Sequence, residues 1–224
     1  MSRQEFLKVL SLSSKRVLII DILRGQKKDS PFDLESTFNQ IYGLIDKGVS
    51  KDTLFVEFIE VLIDLDKLPQ ALSYAQNIDN DYYRSQALIN TANAYTSLDN
   101  KEKAYNILEQ VLSLPQNIND DYSCSKVFSN LAIAYTSLEY ENKASNILEE
   151  ALSHAQNIDV DYLVSDCDKY YYRFLAFSRI ATAYAGLQNY NKTYGILKQA
   201  LSYAQETNDT DSLSEGFSDI VTVF

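Results

Sequence analysis

The sequence predicts an all-α protein, an α–α superhelix (solenoid) of stacked antiparallel helix pairs with about eleven helices. Three observations lead there. A short phrase recurs, as ALSYAQNID from residue 71, ALSHAQNID from 151 and ALSYAQETN from 200, with a looser VLSLPQNIN from 111. A catalytic site is built once from converging residues, whereas a string written four times is the mark of a stacked part. Apolar residues also recur at helical spacing in five separate stretches. Finally, Gly (6) and Pro (3) are scarce among 224 residues, which favours helices joined by short turns.

Residues 3–24 and 31–47 read as two amphipathic helices, the second opened by Ser30 as N-cap and Pro31 in the first turn. They are expected to form an N-terminal helical cap over 1–48, because the open end of a stacked array needs its apolar face covered. The array proper then spans 49–209, about four repeats. Its first helices carry an apolar comb with steps of three, four, seven and ten residues: Leu88, Thr91, Ala92, Tyr95 and Leu98. The comb returns at Phe128, Leu131, Ala132, Tyr135 and Leu138, and at Phe177, Ile180, Ala181, Tyr184 and Leu187. A cruder copy precedes them at Phe55, Phe58, Ile59, Leu62 and Leu65, and Phe217, Ile220, Val221 and Phe224 form a last one in a capping helix over 210–224.

Each complete comb runs into a polar turn, DLDKLPQA, SLDNKEKA, SLEYENKA or GLQNYNKT, that leads to a small residue: Ala71, Ala104, Ala144 or Thr193. Small residues there and at Ala92, Ala132 and Ala181 let two antiparallel helices approach closely. The second helix carries apolar pairs such as Ile107/Leu108 and Ile147/Leu148, then ends in the AQNID phrase. Asn and Asp suit a helix exit and the N-cap of the helix that follows. The repeated phrase therefore closes one hairpin and opens the next.

These residues resemble the tetratricopeptide repeat family, in the form of a bacterial-type helical-repeat protein. The family places a large residue, Leu, a small residue and Tyr on the first helix, and Ala, a large residue and Ala on the second. Phe128, Leu131, Ala132, Tyr135, Ala144, Leu148 and Ala151 follow that pattern, and the hairpins beginning at Leu88 and Phe177 follow it with Thr91, Val111 and Thr193 as departures. Asp66, Asp99, Glu139 and Gln188 stand where the family has a turn glycine. The combs begin 33, 40, 49 and 40 residues apart, against a basic unit of 34. Seven extra residues are about two helical turns and keep the apolar face in place. The nine extra near 163–171 would rotate a helix by about half a turn, so a break, bulge or protruding loop is expected there.

A formal charge of −11 gives no basic stripe for nucleic acid or for an anionic membrane surface. No run is long and apolar enough for membrane insertion, and no leader is evident at the start. Cys124 and Cys167 are unpaired in sequence, which suits a reducing cytoplasm. The only histidine, His154, takes the place of Tyr74 and Tyr203 in the repeated phrase, which points to a role in helix packing or on a helix surface rather than in catalysis. No phosphate loop, dinucleotide fingerprint, nucleophile elbow or metal-ligand spacing is present. No catalytic residue, cofactor or metal is therefore expected, and the protein reads as a non-enzyme.

The expected function is a protein–protein interaction module, an adaptor, assembly or regulatory factor whose concave groove holds a peptide segment or helix of a partner. The resemblance implies that the groove is lined by Gln86, Ile89, Asn90 and Asn93, then Lys126, Ser129, Asn130 and Ile133, then Leu175, Ser178, Arg179 and Thr182, of which the polar members Gln86, Asn90, Asn93, Lys126, Ser129, Asn130, Arg179 and Thr182 are the expected contacts. Lys126 and Arg179 suit an acidic side chain or C-terminus. The carboxylate clamp of some family members is broken, because Ile89 and Leu175 stand where lysines would be needed. Tyr170, Tyr171 and Tyr172 form a second candidate, either packed under a lengthened helix or protruding as a partner contact. Two other functions fit the sequence: a regulatory sensor that binds a small peptide or metabolite, and a self-assembling structural protein. In the latter, the apolar C-terminal helix would make a homodimer.

Overall fold

The computed structural model of the chain describes residues 51–159, 166–206 and Phe217. Among the described residues there are eight α-helices, one short 3-10 helix and no strand. The α-helices are α1 (Lys51–Asp64), α2 (Leu68–Gln76), α3 (Asp81–Ser97), α4 (Lys101–Val111), α5 (Asp121–Ser137), α6 (Glu141–Asn157), α7 (Asp166–Gly186) and α8 (Tyr190–Glu206). The 3-10 helix η1 (Leu114–Asn117) follows α4. These eight α-helices are the ones expected for four hairpins. The remaining three of the expected eleven, over 3–24, 31–47 and 210–224, lie outside the described residues except for Phe217, which is helical.

The chain divides into two compact units, 1–94 and 95–224, with the boundary inside α3. In the first unit α1 packs on α2. Leu54, Phe58, Ile59, Val61 and Leu62 are buried on α1, and Leu68, Ala71 and Ala75 on α2. In the second, α5 pairs with α6 and α7 with α8, while α7 also lies against both α5 and α6. Ala132 and Ala181 on the first helices and Ala144 on a second helix are buried, so no side chain holds these axes apart. Thr193 occupies the small-residue place on α8, and its Oγ1 donates to the Asn189 carbonyl at 2.9 Å, which hides the hydroxyl inside the helix.

One turn is built four times. Asp66, Asp99, Glu139 and Gln188 have φ of 56°, 58°, 68° and 55°. Each therefore adopts the left-handed conformation that ends a helix, although none is glycine. The amide of the next residue reaches five residues back, as from Lys67 to the Leu62 carbonyl at 2.8 Å and from Asn189 to the Tyr184 carbonyl at 3.0 Å. The left-handed residue itself bonds three back, as from Gln188 to Ala185 at 2.8 Å. The residue that closes the first helix also opens the second. Asn100 Oδ1 accepts from the Lys103 amide, and Asn189 Oδ1 from the Lys192 amide, both at 3.3 Å.

The uneven comb spacing has a physical location. α2 has 9 residues and α6 has 17, so about two turns are added to a second helix, as the sequence leads one to expect. The second hairpin reaches the same length by a different route. Pro115, in VLSLPQNIN, cannot donate an amide bond and clashes with a helical carbonyl four residues back. α4 accordingly stops at Val111, and the chain continues as η1 with Pro115 in its first turn. The expected break within 163–171 is not seen in its described part: residues 166–171 belong to α7, which runs unbroken from Asp166.

In the first three hairpins the phrase closes the hairpin, by means that the sequence only partly reveals; the end of its last copy lies outside the described residues. Ile78 and Ile158 are buried plugs. The N-cap of α3 is Asn80, one residue beyond the Asp of the phrase; its Oδ1 accepts from the amides of Tyr82 at 3.0 Å and Tyr83 at 3.3 Å. Asp120 caps α5 by accepting from the Ser123 amide at 2.7 Å. The isoleucine carbonyl is then satisfied by the side chain four residues before the next comb begins. Arg84 donates to the Ile78 carbonyl at 3.2 Å, Cys124 to Ile118 at 3.4 Å and Arg173 to Ile158 at 3.1 Å. Burial pushes the Cys124 thiol up to about 11, so it stays protonated and able to donate.

Successive hairpins of the second unit are joined by a repeated three-residue cluster. Tyr135 on α5 donates its hydroxyl to Glu109 of α4 at 2.5 Å, and Lys143 of α6 pairs with the same carboxylate. One hairpin later, Tyr184 on α7 donates to Glu149 of α6 at 2.6 Å, and Lys192 of α8 pairs with it. Tyr105 adds ring contacts to Tyr135 at 5.9 Å and Tyr140 at 4.8 Å. Burial, reinforced by the bond to Glu149, pushes the Tyr184 phenol up to about 12, and burial with the bond to Glu109 raises Tyr135 further. Burial works against the charge of Glu109, but the bonds from Lys143 and Tyr135 outweigh it and hold this carboxyl below its ordinary value. The bonds from Lys192 and Tyr184 do the same for Glu149.

Candidate functional site

α5 and α7 lie side by side, and between their C-terminal halves is a cleft of about 400 Å³. It is lined by Ile133, Thr136 and Ser137 from α5 and by Thr182, Ala183, Ala185 and Gly186 from α7. The three hydroxyls donate to their own helix: Thr136 to the Ala132 carbonyl at 2.9 Å, Ser137 to Ile133 at 3.2 Å and Thr182 to Ser178 at 3.0 Å. Their donor capacity is thus engaged, and the oxygens keep lone pairs that can accept from a ligand's N–H. Ile133 supplies an apolar floor at 37% exposure. At Gly186 nothing beyond its chain neighbours and its own helix backbone lies within 4 Å of where a Cβ would sit, so the cleft is open there.

Of the residues singled out in the sequence, Ile133 and Thr182 line this cleft. Lys126, Asn130 and Arg179 are half-buried along the same two helices. Ser129 is fully buried, with its Oγ donating to the Ser125 carbonyl at 2.8 Å, so it faces helix rather than solvent. Ile89 on α3 and Leu175 and Ser178 on α7, also expected in the lining, are buried in the core instead. On α3, Asn93 is exposed, Asn90 donates to Glu60 of α1 at 3.2 Å, and the amide nitrogen of Gln86 is buried without a hydrogen-bond partner. The small pair after the comb tyrosine, Thr136–Ser137 and Ala185–Gly186, is absent from the sequence-derived set although it shapes the cleft. Its signal is visible as AYTSL and AYAGL at equal register.

A second hollow, of about 610 Å³, opens where α4 ends early. Leu112, Pro115, Phe128, Ile147 and His154 are among its walls. His154 stacks on Phe128 at 5.6 Å, as Tyr74 packs near Phe55 at 6.3 Å and Tyr203 near Phe177 at 5.2 Å. Its Nδ1 lies 2.6 Å from Asp121. The histidine thus does the packing work of the tyrosines it replaces. Tyr170, Tyr171 and Tyr172 are half-buried. Tyr172 contacts Tyr122 of α5 at 4.8 Å, and Tyr170 contacts Tyr203 of α8 at 6.5 Å. Among the described residues no three His, Cys, Asp or Glu side chains are grouped to hold a metal, and no helix is long and apolar enough to cross a membrane.

Paired α-helices, a repeated inter-hairpin joint and a shallow hydroxyl-lined cleft define the class of helical-repeat proteins. The family model of anaphase-promoting complex subunit 5 matches residues 60–129 and 158–221, more than half of the chain. The chain belongs to that family, a helical-repeat family of complex subunits, and the match is to this family rather than to one named for the tetratricopeptide repeat. No curated protein and no solved structure matches the chain significantly.

Proposed function

We propose that this protein is a non-enzymatic assembly factor, built of tetratricopeptide-like hairpins stacked as a superhelix, which works in the cytoplasm by holding a segment of a protein partner. The partner segment lies in extended form in the cleft between α5 and α7. Its backbone N–H groups donate to the hydroxyl oxygens of Thr136, Ser137 and Thr182, and an acidic side chain or C-terminus meets Lys126 and Arg179. In this reading Gln86, Asn90 and Asn93 of α3, at the corresponding sequence register, are further contacts for the partner. The observation that carries this reading is the cleft itself, whose acceptor hydroxyls and small walls suit a peptide backbone. Membership in a family of complex subunits supports a protein as the partner.

The test is affinity purification from the host with quantitative mass spectrometry, comparing the natural chain with a Lys126→Glu/Arg179→Glu variant. The variant should keep its helicity by circular dichroism and lose the co-purifying partner. Equal recovery of that partner would move the site away from α5 and α7. A Gly186→Leu variant, which fills the cleft without touching a charge, should weaken capture at least tenfold.

A further inference from the structure

We infer that the hollow of about 610 Å³ beside η1 is a second binding site, which takes an arginine side chain presented by a partner protein. It shares no residue with the cleft between α5 and α7. The inference starts from where the repeated phrase breaks its own pattern. Position 115 is Pro, where 75, 155 and 204 are Ala. The residue before the phrase is Glu at 150, but Gln at 70, 110 and 199. Position 154 is His, where 74 and 203 are Tyr. Pro115 belongs to one hairpin and Glu150 and His154 to the next, yet all three line this one hollow.

Each departure makes room or adds an acceptor. Pro115 ends α4 early and opens space that a continuing helix would fill. His154 is smaller than the tyrosine it replaces, and its Nδ1 lies 2.6 Å from Asp121 Oδ1. A carboxylate only accepts, so Nδ1 carries the proton and Nε2 of the neutral ring is an acceptor. Glu150 puts a charge where the other copies have a neutral amide. Asn146, Glu150 and His154 follow one another at steps of four, along one stripe of α6. Among the described residues, Gln116, Asn146 and Glu150 make no hydrogen bond or ion pair within the protein. The hollow therefore offers a carboxylate, two amide oxygens and an imidazole nitrogen over an apolar floor of Leu112, Ile118, Phe128 and Ile147. Lys143 also lines it, with its charge answered by Glu109. Several acceptors above an apolar floor suit a planar fork of N–H donors on a methylene stem, which is arginine; the lysine ammonium is a compact, strongly hydrated point charge. The hollow is larger than one side chain, so neighbouring residues of the partner's segment enter with the arginine. A chain charge of −11 steers such a basic segment inward.

The probe is the capped peptide acetyl-Ala-Arg-Ala-amide, titrated into the isotope-labelled full chain and followed by NMR. Versions with lysine or with citrulline, which keeps the shape of arginine without its charge, serve as comparisons. The arginine peptide should shift the side-chain amide signals of Gln116 and Asn146 and the imidazole signals of His154. It should bind about tenfold more tightly than the citrulline peptide, as charge-assisted hydrogen bonds to a carboxylate require. Glu150→Gln and His154→Tyr each restore the residue of the other copies, and circular dichroism checks that both keep their helicity. Glu150→Gln should cost the arginine peptide about that same tenfold and leave the citrulline peptide unchanged. His154→Tyr, which refills the hollow, should abolish the shifts. No shift with the arginine peptide, equal binding of the citrulline or lysine peptide, or full affinity in Glu150→Gln would overturn the inference. Tighter binding of free arginine than of the peptide would overturn it in favour of a metabolite. Shifts of the same signals with protein concentration alone would overturn it in favour of a second copy of the chain. Lys126→Glu/Arg179→Glu should leave peptide binding unchanged, so failure of the cleft and failure of this hollow are separable.

Discussion

Gln188 sits at a φ of 55°, in the left-handed conformation that suits glycine. A non-glycine residue held there costs about 1 kcal/mol relative to glycine. Gln188→Gly should therefore stabilise the fold by about 0.5–1 kcal/mol, read as a raised urea midpoint with an unchanged slope, whereas Gln188→Ala should leave the midpoint almost where it was. An opposite situation holds at Gly195 on α8, which is exposed in mid-helix with nothing within 4 Å of a prospective Cβ. Gly195→Ala should add about 0.5–1 kcal/mol from helix propensity alone. The four left-handed residues were legible as sites where the family has glycine, because the turn is local in sequence. Ser129 was not legible as buried, since a serine on a first helix reads as polar surface, whereas its hydroxyl is hidden against the Ser125 carbonyl of its own helix.

At the scale of the element, the comb, the small residues and the turn could all be read from spacing, whereas the joints between hairpins could not. Glu109 and Tyr135, or Glu149 and Tyr184, are partners only because one helix of each hairpin lies beside the previous hairpin. Single-sequence periodicity gives the tyrosine an inward face but no partner for its hydroxyl. Tyr184 is fully buried, so Tyr184→Phe should cost about 1 kcal/mol, the usual net value of one hydrogen bond. The two carboxyls also give stability a defined pH dependence. Their folded-state pKa lies below the ordinary 4.5. Their contribution is therefore complete above about pH 5.5 and is lost as the pH falls through the lowered value. A Lys143→Met/Lys192→Met variant should be less stable at pH 7 and show a shallower decline from about pH 5 to 3 in urea titrations. A decline as steep as in the natural chain would remove these joints from the account of acid sensitivity.

For the molecule as a whole, the equivalence of the two joints leads to a stringent expectation. Removing residues 128–176 takes out one comb interval and fuses the first seven residues of α5 to α7 at Phe177, in the register both helices share. The Ile118 carbonyl keeps its Cys124 donor. Glu109, deprived of Tyr135 and Lys143, would meet Tyr184 and Lys192, the same chemistry at the same positions on the next hairpin. On the proposed stacked architecture, in which stability comes from hairpins and nearest-neighbour joints, such an excision removes one unit and one joint and leaves the rest intact. The shortened chain should therefore keep its ellipticity per residue and unfold in one cooperative step at a somewhat lower temperature. A single globular core would not tolerate the loss of Leu131, Tyr135, Ile147 and Phe174 together, all of which are buried. Such a core would give a non-cooperative melt with dye-binding apolar surface, and that result would show that the repeat in the sequence does not set the unit of folding.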